Sequence, residues 1–227
     1  MYDVMVVGSH PDDIEFGCGG IVCKLVKEGK KVVLVDLTLG DKGTNGNPEI
    51  RKKEALKAAE LLGVDRFFLD FNDCEVIDNY DNRLKIAKII RECRPSLIIA
   101  PPIQKYSNHP DHSATAELIR IGARYARFKK ILPELPVHFV KNVLHYIHVY
   151  YDKVDFIIDV TSHVDEWKKM MECHASQMVT YPFVDRVLRF SSYLGVLIER
   201  PYAQGLISLS PVVIEDITNL SQGIREI

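Results

Sequence analysis

Residues 2–20 read YDVMVVGSHPDDIEFGCGG: an apolar run, then a histidine, a proline and two neighbouring aspartates, then a glycine-rich stretch. The apolar run has the composition of a strand buried on both faces. Three more short runs rich in Val, Ile, Leu and Phe follow the same pattern, KVVLVDLT (31–38), RFFLDF (66–71) and SLIIAPP (96–102). Segments expected to be helical lie between and after them, at about 19–29, 48–63, 81–94 and 111–127. The second carries end signals of its own, with Asn47 as N-cap, Pro48 at the first helical position and Gly63 just past the end. This β-α alternation predicts a Rossmann-like, doubly wound α/β fold, with a mainly parallel sheet and helices on both faces. The common strand order 3-2-1-4-5 would make the first and fourth strands neighbours.

Past residue 130 the rhythm changes. A Pro-containing connection (131–140) leads to two more expected strands (144–151 and 155–161), a helix over about 162–177, a helix within 181–200 and a closing segment at 203–214. No linker or repeat interrupts the chain. The expectation is one domain over residues 1–227, whose C-terminal elaboration from about 130 completes a substrate cleft.

Charge and composition exclude several roles. With 29 basic and 31 acidic residues the net charge is −2, which gives neither a nucleic-acid footprint nor a polybasic membrane patch. No apolar stretch has bilayer length, and the first strand begins without a charged leader, so the cytoplasm is the expected compartment. The five cysteines (Cys18, Cys23, Cys74, Cys93 and Cys173) include no CxxC pair, so neither a disulfide framework nor a thiolate metal site is indicated.

The chemistry gathers at two strand ends. NHPDH (108–112) follows the fourth strand as HPDD (10–13) follows the first, and the crevice between such strand ends is where doubly wound folds bind ligands. His10, Asp13 and His112 would supply two imidazoles and one carboxylate, leaving a position open as in catalytic zinc sites. The same set suits non-haem iron. Asp12, beside a ligand but not one itself, is the candidate general base. His109 would stabilise an oxyanion or protonate a leaving amine, with Asp111 or another carboxylate holding its ring. The GCGG segment lacks the full dinucleotide fingerprint, and the adjacent carboxylates would repel a pyrophosphate. Arg51, in the first turn of the second helix where a cation is disfavoured, opens on the same sheet edge, as does Asp73. His138, His145, His148, His163 and His174 read as surface or satisfied core residues.

HPDDIEFGCGG, NHPDH and Arg51 taken together resemble the PIG-L/LmbE-type zinc-dependent N-acetylglucosamine deacetylases. HASQM (174–178) and YAQGL (202–206) resemble that family's C-terminal signatures. The spacing in HPDDIE resembles the branch acting on N-acetylglucosaminyl-malate in bacillithiol synthesis, although Gln204 stands where that branch tends to have Glu. The resemblance implies His10, Asp13 and His112 as zinc ligands and Asp12 as base. It implies His109 as acid or oxyanion stabiliser, and Arg51, Asp73 and Tyr106 on the substrate side. It also implies a homo-oligomer, hexamer or trimer, acting on a small N-acetylglucosaminide. Diacetylchitobiose and mycothiol-type inositol conjugates are the alternative substrates, and a non-catalytic metal- or sugar-binding protein is the alternative class.

Overall fold

Strand β1 (Val4–Gly8) lies between β2 (Val32–Asp36) and β4 (Leu97–Ala100) and runs parallel to both, consistent with its burial on both faces. The computed structural model describes residues 1–103, 109–148, 154–216 and 218. With β3 (Asp65–Phe68), β5 (Asn142–Tyr146), β6 (Phe156–Asp159) and β7 (Ala203–Ser208), the sheet has seven strands in the order β3-β2-β1-β4-β5-β7-β6. The first five strands are parallel, in the expected 3-2-1-4-5 order, while β7 is antiparallel to both β5 and β6.

Period-two alternation divides β1 between two cores. Val4 and Val6 pack with Ile14, Trp167 and Met170, from α1 (Asp13–Lys27) and α5 (Val164–Glu172). Met5 and Val7 face the opposite layer, where Ile86 and Ile90 of α3 (Tyr80–Cys93) meet Leu118 and Ile119 of α4 (Pro110–Tyr125). Helix α2 (Pro48–Leu62) starts and stops on its sequence signals. Asn47 accepts a hydrogen bond from the Ile50 amide at 2.9 Å, and Gly63 closes the helix in the left-handed region at φ 64°. Helix α6 (Phe183–Val196) completes the set.

Two helices differ from expectation. The first begins at Asp13 rather than near residue 19, directly after the HPD turn, and is broken at Cys18 (φ −147°, ψ 21°). Gln204 of β7 satisfies the backbone at the break: its Oε1 accepts from the Ile21 amide at 2.9 Å and its Nε2 donates to the Gly17 carbonyl at 3.3 Å. The helix expected over 162–177 is α5 flanked by two short 3-10 turns, Thr161–His163 and Ala175–Met178. The chain turns at His174, whose ring is fully buried against Glu15.

Candidate active site

The carboxyl ends of β1 and β4 each feed a helix N-terminus, and the two meet. Ser9 ties them together, its Oγ lying 2.9 Å from Thr115 Oγ1 and 3.3 Å from the Asp111 carbonyl. Asp13, in the first turn of α1, accepts the Ser9 and His10 amides on Oδ2, both at 2.9 Å. The same oxygen lies 3.3 Å from His10 Nδ1, while Oδ1 lies 3.0 Å from His112 Nε2. One fixed carboxylate thus joins the imidazoles of both loops.

His10 is held from its other side too. Its Nε2 is 3.0 Å from Asp73 Oδ1 and 3.1 Å from Asp111 Oδ2. Those carboxylates are themselves oriented by backbone amides, Lys42 on Asp73 and Cys74 on Asp111, each at 2.8 Å. Burial alone would discharge the ring, but Asp13 first, then hydrogen bonding to Asp111 and Asp73, push its pKa up to about 12. Two carboxylates hold Nε2 and Asp13 faces Nδ1; were the Nδ1 proton displaced by a metal, the carboxylates on Nε2 would orient a ligating histidine.

Asp12 precedes Asp13 with φ 132°, a conformation few non-glycine residues adopt. Arg51 secures the turn: its Nη2 donates to the Pro11 carbonyl at 3.0 Å and lies 3.4 Å from Asp12 Oδ1, and its Nη1 donates to the Gly40 carbonyl at 3.2 Å. Gly40 (φ 65°) gives the guanidinium its room, because a Cβ there would sit 1.9 Å from Arg51 Nη1 and displace it. Burial raises the Asp12 pKa to about 6, and Arg51 keeps it from going higher.

His109 is the N-cap of α4 and accepts the Asp111 amide on Nδ1 at 3.3 Å, so the neutral ring carries its proton on Nε2. Its ring centroid is 4.7 Å from that of His10 and 4.9 Å from that of His112. The Asp111 carboxylate faces His10 and the Cys74 amide; its main-chain N–H is what contacts the His109 ring. Asp73, expected on the substrate side, borders the cleft but is 2% exposed and turned to His10. Tyr106 lies outside the described residues.

The donors suit a divalent cation: two imidazoles around one carboxylate, with three further aspartates close by. Donor atoms of His10, His109 and His112 lie within 4.8 Å of one another, as do those of Asp13, His112 and His148. His148 is the residue that sequence reasoning missed. Its ring stacks on His112 at 5.0 Å, and burial, with His112 adding to it, lowers its pKa to about 4. Only the position of β5 beside β4 brings it there, so no local signal marked it. The cleft bordered by these histidines and Asp13 has a volume of about 680 Å³ and extends to α6 and β7.

The chain is similar to several known proteins. A family model described as PIG-L, GlcNAc-PI de-N-acetylase, matches residues 5–121. A diacetylchitobiose deacetylase of Thermococcus kodakarensis is 29% identical, over 89% of this chain and 81% of its own. A 4-oxalmesaconate hydratase of Pseudomonas putida is 25% identical, over 94% and 91% respectively. Among solved structures, a conserved protein of Thermus thermophilus superposes with a TM-score of 0.89 at 31% identity, covering 97% of this chain and 100% of that one.

Proposed function

The chain belongs to the PIG-L family of de-N-acetylases, and from that membership we propose that it is a metal-dependent hydrolase removing the N-acetyl group from a glucosamine-containing small molecule. The observation that carries this reading is Asp12. It borders the cleft, lies next to the bridging Asp13, is clamped by Arg51, and has a pKa of about 6. A binding site has no use for a strained carboxylate clamped beside its metal ligands, whereas a general base needs one.

His10 Nδ1, Asp13 and His112 Nε2 are the proposed ligands of zinc, with iron the alternative for the same donors. When bound, that ion polarises the acetyl carbonyl and lowers the pKa of water towards neutrality. Asp12 takes the proton of the attacking water. The Nε2–H of His109, fixed by the Asp111 amide, donates to the oxygen that becomes negative, assisted by the N-terminus of α4. The proton held by Asp12 then passes to the leaving nitrogen. A C–O bond forms and the C–N bond breaks, giving acetate and a free amine.

For the substrate itself, we favour an anionic conjugate such as N-acetylglucosaminyl-malate, since Lys42 and Arg51 both border the cleft. Likeness over 89% of this chain to a diacetylchitobiose deacetylase favours that disaccharide instead. Likeness over most of both chains to a hydratase also supports a second reaction, addition of water to an activated double bond. Amine release and alkene hydration by the metal-loaded protein, with and without chelator, separate them. The panel comprises the malate and inositol conjugates of N-acetylglucosamine, diacetylchitobiose and 4-oxalmesaconate. Chelator-sensitive amine release from a sugar supports deacetylation; hydration without amine release contradicts it.

A further inference from the structure

Along the carboxyl edge of the sheet the cleft changes character. On the β2–β3 side it is bordered by polar groups, Lys42, Thr44, Arg51 and Asp73. The histidine cluster stands at β1 and β4. Beyond it, on the β5–β7 side, the wall is apolar: Phe183, Val187, Phe190 and Leu194 recur on one face of α6, opposite Ile147 and Ala203. The lobe begins beside the site, since Ile147 precedes His148, whose ring stacks on His112.

The polar side chains of this lobe are turned to the backbone. Ser191 Oγ donates to the Ala203 carbonyl at 2.9 Å, Trp167 Nε1 to the Glu15 carbonyl at 2.8 Å, and Gln204 bridges the break in α1. Arg186, also on the cleft, stands 5.4 Å over the Tyr181 ring. Arg186 excepted, the lobe walls therefore offer carbon surface where a sugar ring would need donors and acceptors.

We propose that this lobe is an acyl subsite, and that the enzyme hydrolyses amides of medium-length aliphatic acids on an amino sugar, beyond acetamides. This rests on the deacetylase reading. An amide at the histidine cluster has two arms. A sugar arm matches the polar β2–β3 side, which leaves the acyl arm for the α6–β7 side. Water supplies the oxygen of the released carboxylic acid and a proton of the released amine, as for acetate.

The test compares glucosaminides of one aglycone bearing N-acetyl, N-butanoyl or N-hexanoyl groups, together with the hexyl glycoside of N-acetylglucosamine. Burial of each added methylene is worth about a fourfold gain, so kcat/KM should rise tenfold or more from acetyl to hexanoyl. Val187→Phe, which fills the lobe, should reduce the hexanoyl-to-acetyl ratio. Acetyl turnover with no gain for longer acyl groups overturns the subsite and leaves the deacetylase reading intact. A gain that follows the hexyl aglycone instead overturns the acyl assignment. If no amide is turned over, the deacetylase reading fails, and calorimetry with hexanoate and acetate still decides the lobe. Hexanoate binding at least tenfold tighter than acetate, weakened in Val187→Phe, upholds it; equal affinities overturn it.

Discussion

Asp13 holds the two loops in register because each of its oxygens has its own task, one on the Ser9 and His10 amides and one on His112. Replacing His112 with Ala should therefore cut bound metal well below one per chain, as read by elemental analysis; unchanged stoichiometry would remove it from the ligand set. Asp111→Asn leaves the proposed ligands in place but weakens the hold on His10 Nε2. It should lower metal affinity about 10- to 100-fold in a chelator competition. Most of this cluster could be read from the sequence, because HPDD and NHPDH follow strands that an open α/β sheet makes neighbours. Asp73 and His148 could not be assigned in the same way. What each touches depends on how the chain returns after β3 and β5, which neither residue type nor spacing encodes. Arg51 was recognisable as an anomaly at a helix N-terminus, but its hold on Pro11, Asp12 and Gly40 needed coordinates.

Beneath the N-terminal half of α1 runs a buried charge network linking three elements. Arg66 of β3 grips Asp36 of β2 through Nε at 2.6 Å and Nη2 at 2.9 Å, and reaches Glu15 of α1 through Nη1. Glu15 lies 3.2 Å from His174. Removing the shared cation strips Asp36 of its charged partner and leaves Glu15 with His174 alone, so Arg66→Met should cost about 3–5 kcal/mol in denaturant unfolding. Burial opposes ionisation of Glu15, yet Arg66 and then His174 hold its pKa down to about 2, so it stays charged from pH 5 upward. Burial likewise opposes the imidazolium of His174, but Glu15 raises its pKa above 6.5. The contribution of His174 is then fully present below pH 6.5 and is lost as pH rises through the folded value. The stability gap between the protein and His174→Gln should accordingly narrow from pH 6 to pH 8; a gap that widens would contradict the pairing. The strand-helix alternation was legible because each element carries its own periodicity and caps. The early start of α1 and its break at Cys18 were not, since the break depends on Gln204, at the far end of the chain.

At the scale of the whole molecule, the sheet brings distant segments to one edge, where four aspartates gather around the histidine cluster, so a bound cation should stabilise the fold. If metal at about 100 times its dissociation constant contributes roughly 2.7 kcal/mol, chelation should lower Tm by about 5–10 °C for a chain of this size. Re-addition of the metal should restore it, and an unchanged Tm would argue against a metal held by folded-state ligands. The parallel half of the sheet was foreseeable from the sequence. The insertion of β7 between β5 and β6 was not, because the order of the late strands is a tertiary choice. That insertion supplies one wall of the cleft, so specificity was the least legible property of the chain. The most direct test is amine release from N-acetylglucosaminides by the protein and by Asp12→Asn at equal metal content. The predicted result is one metal per chain in both and turnover lowered about 10²- to 10⁴-fold in the variant. Equal turnover at equal metal would remove Asp12 as the base and contradict the mechanism built on it.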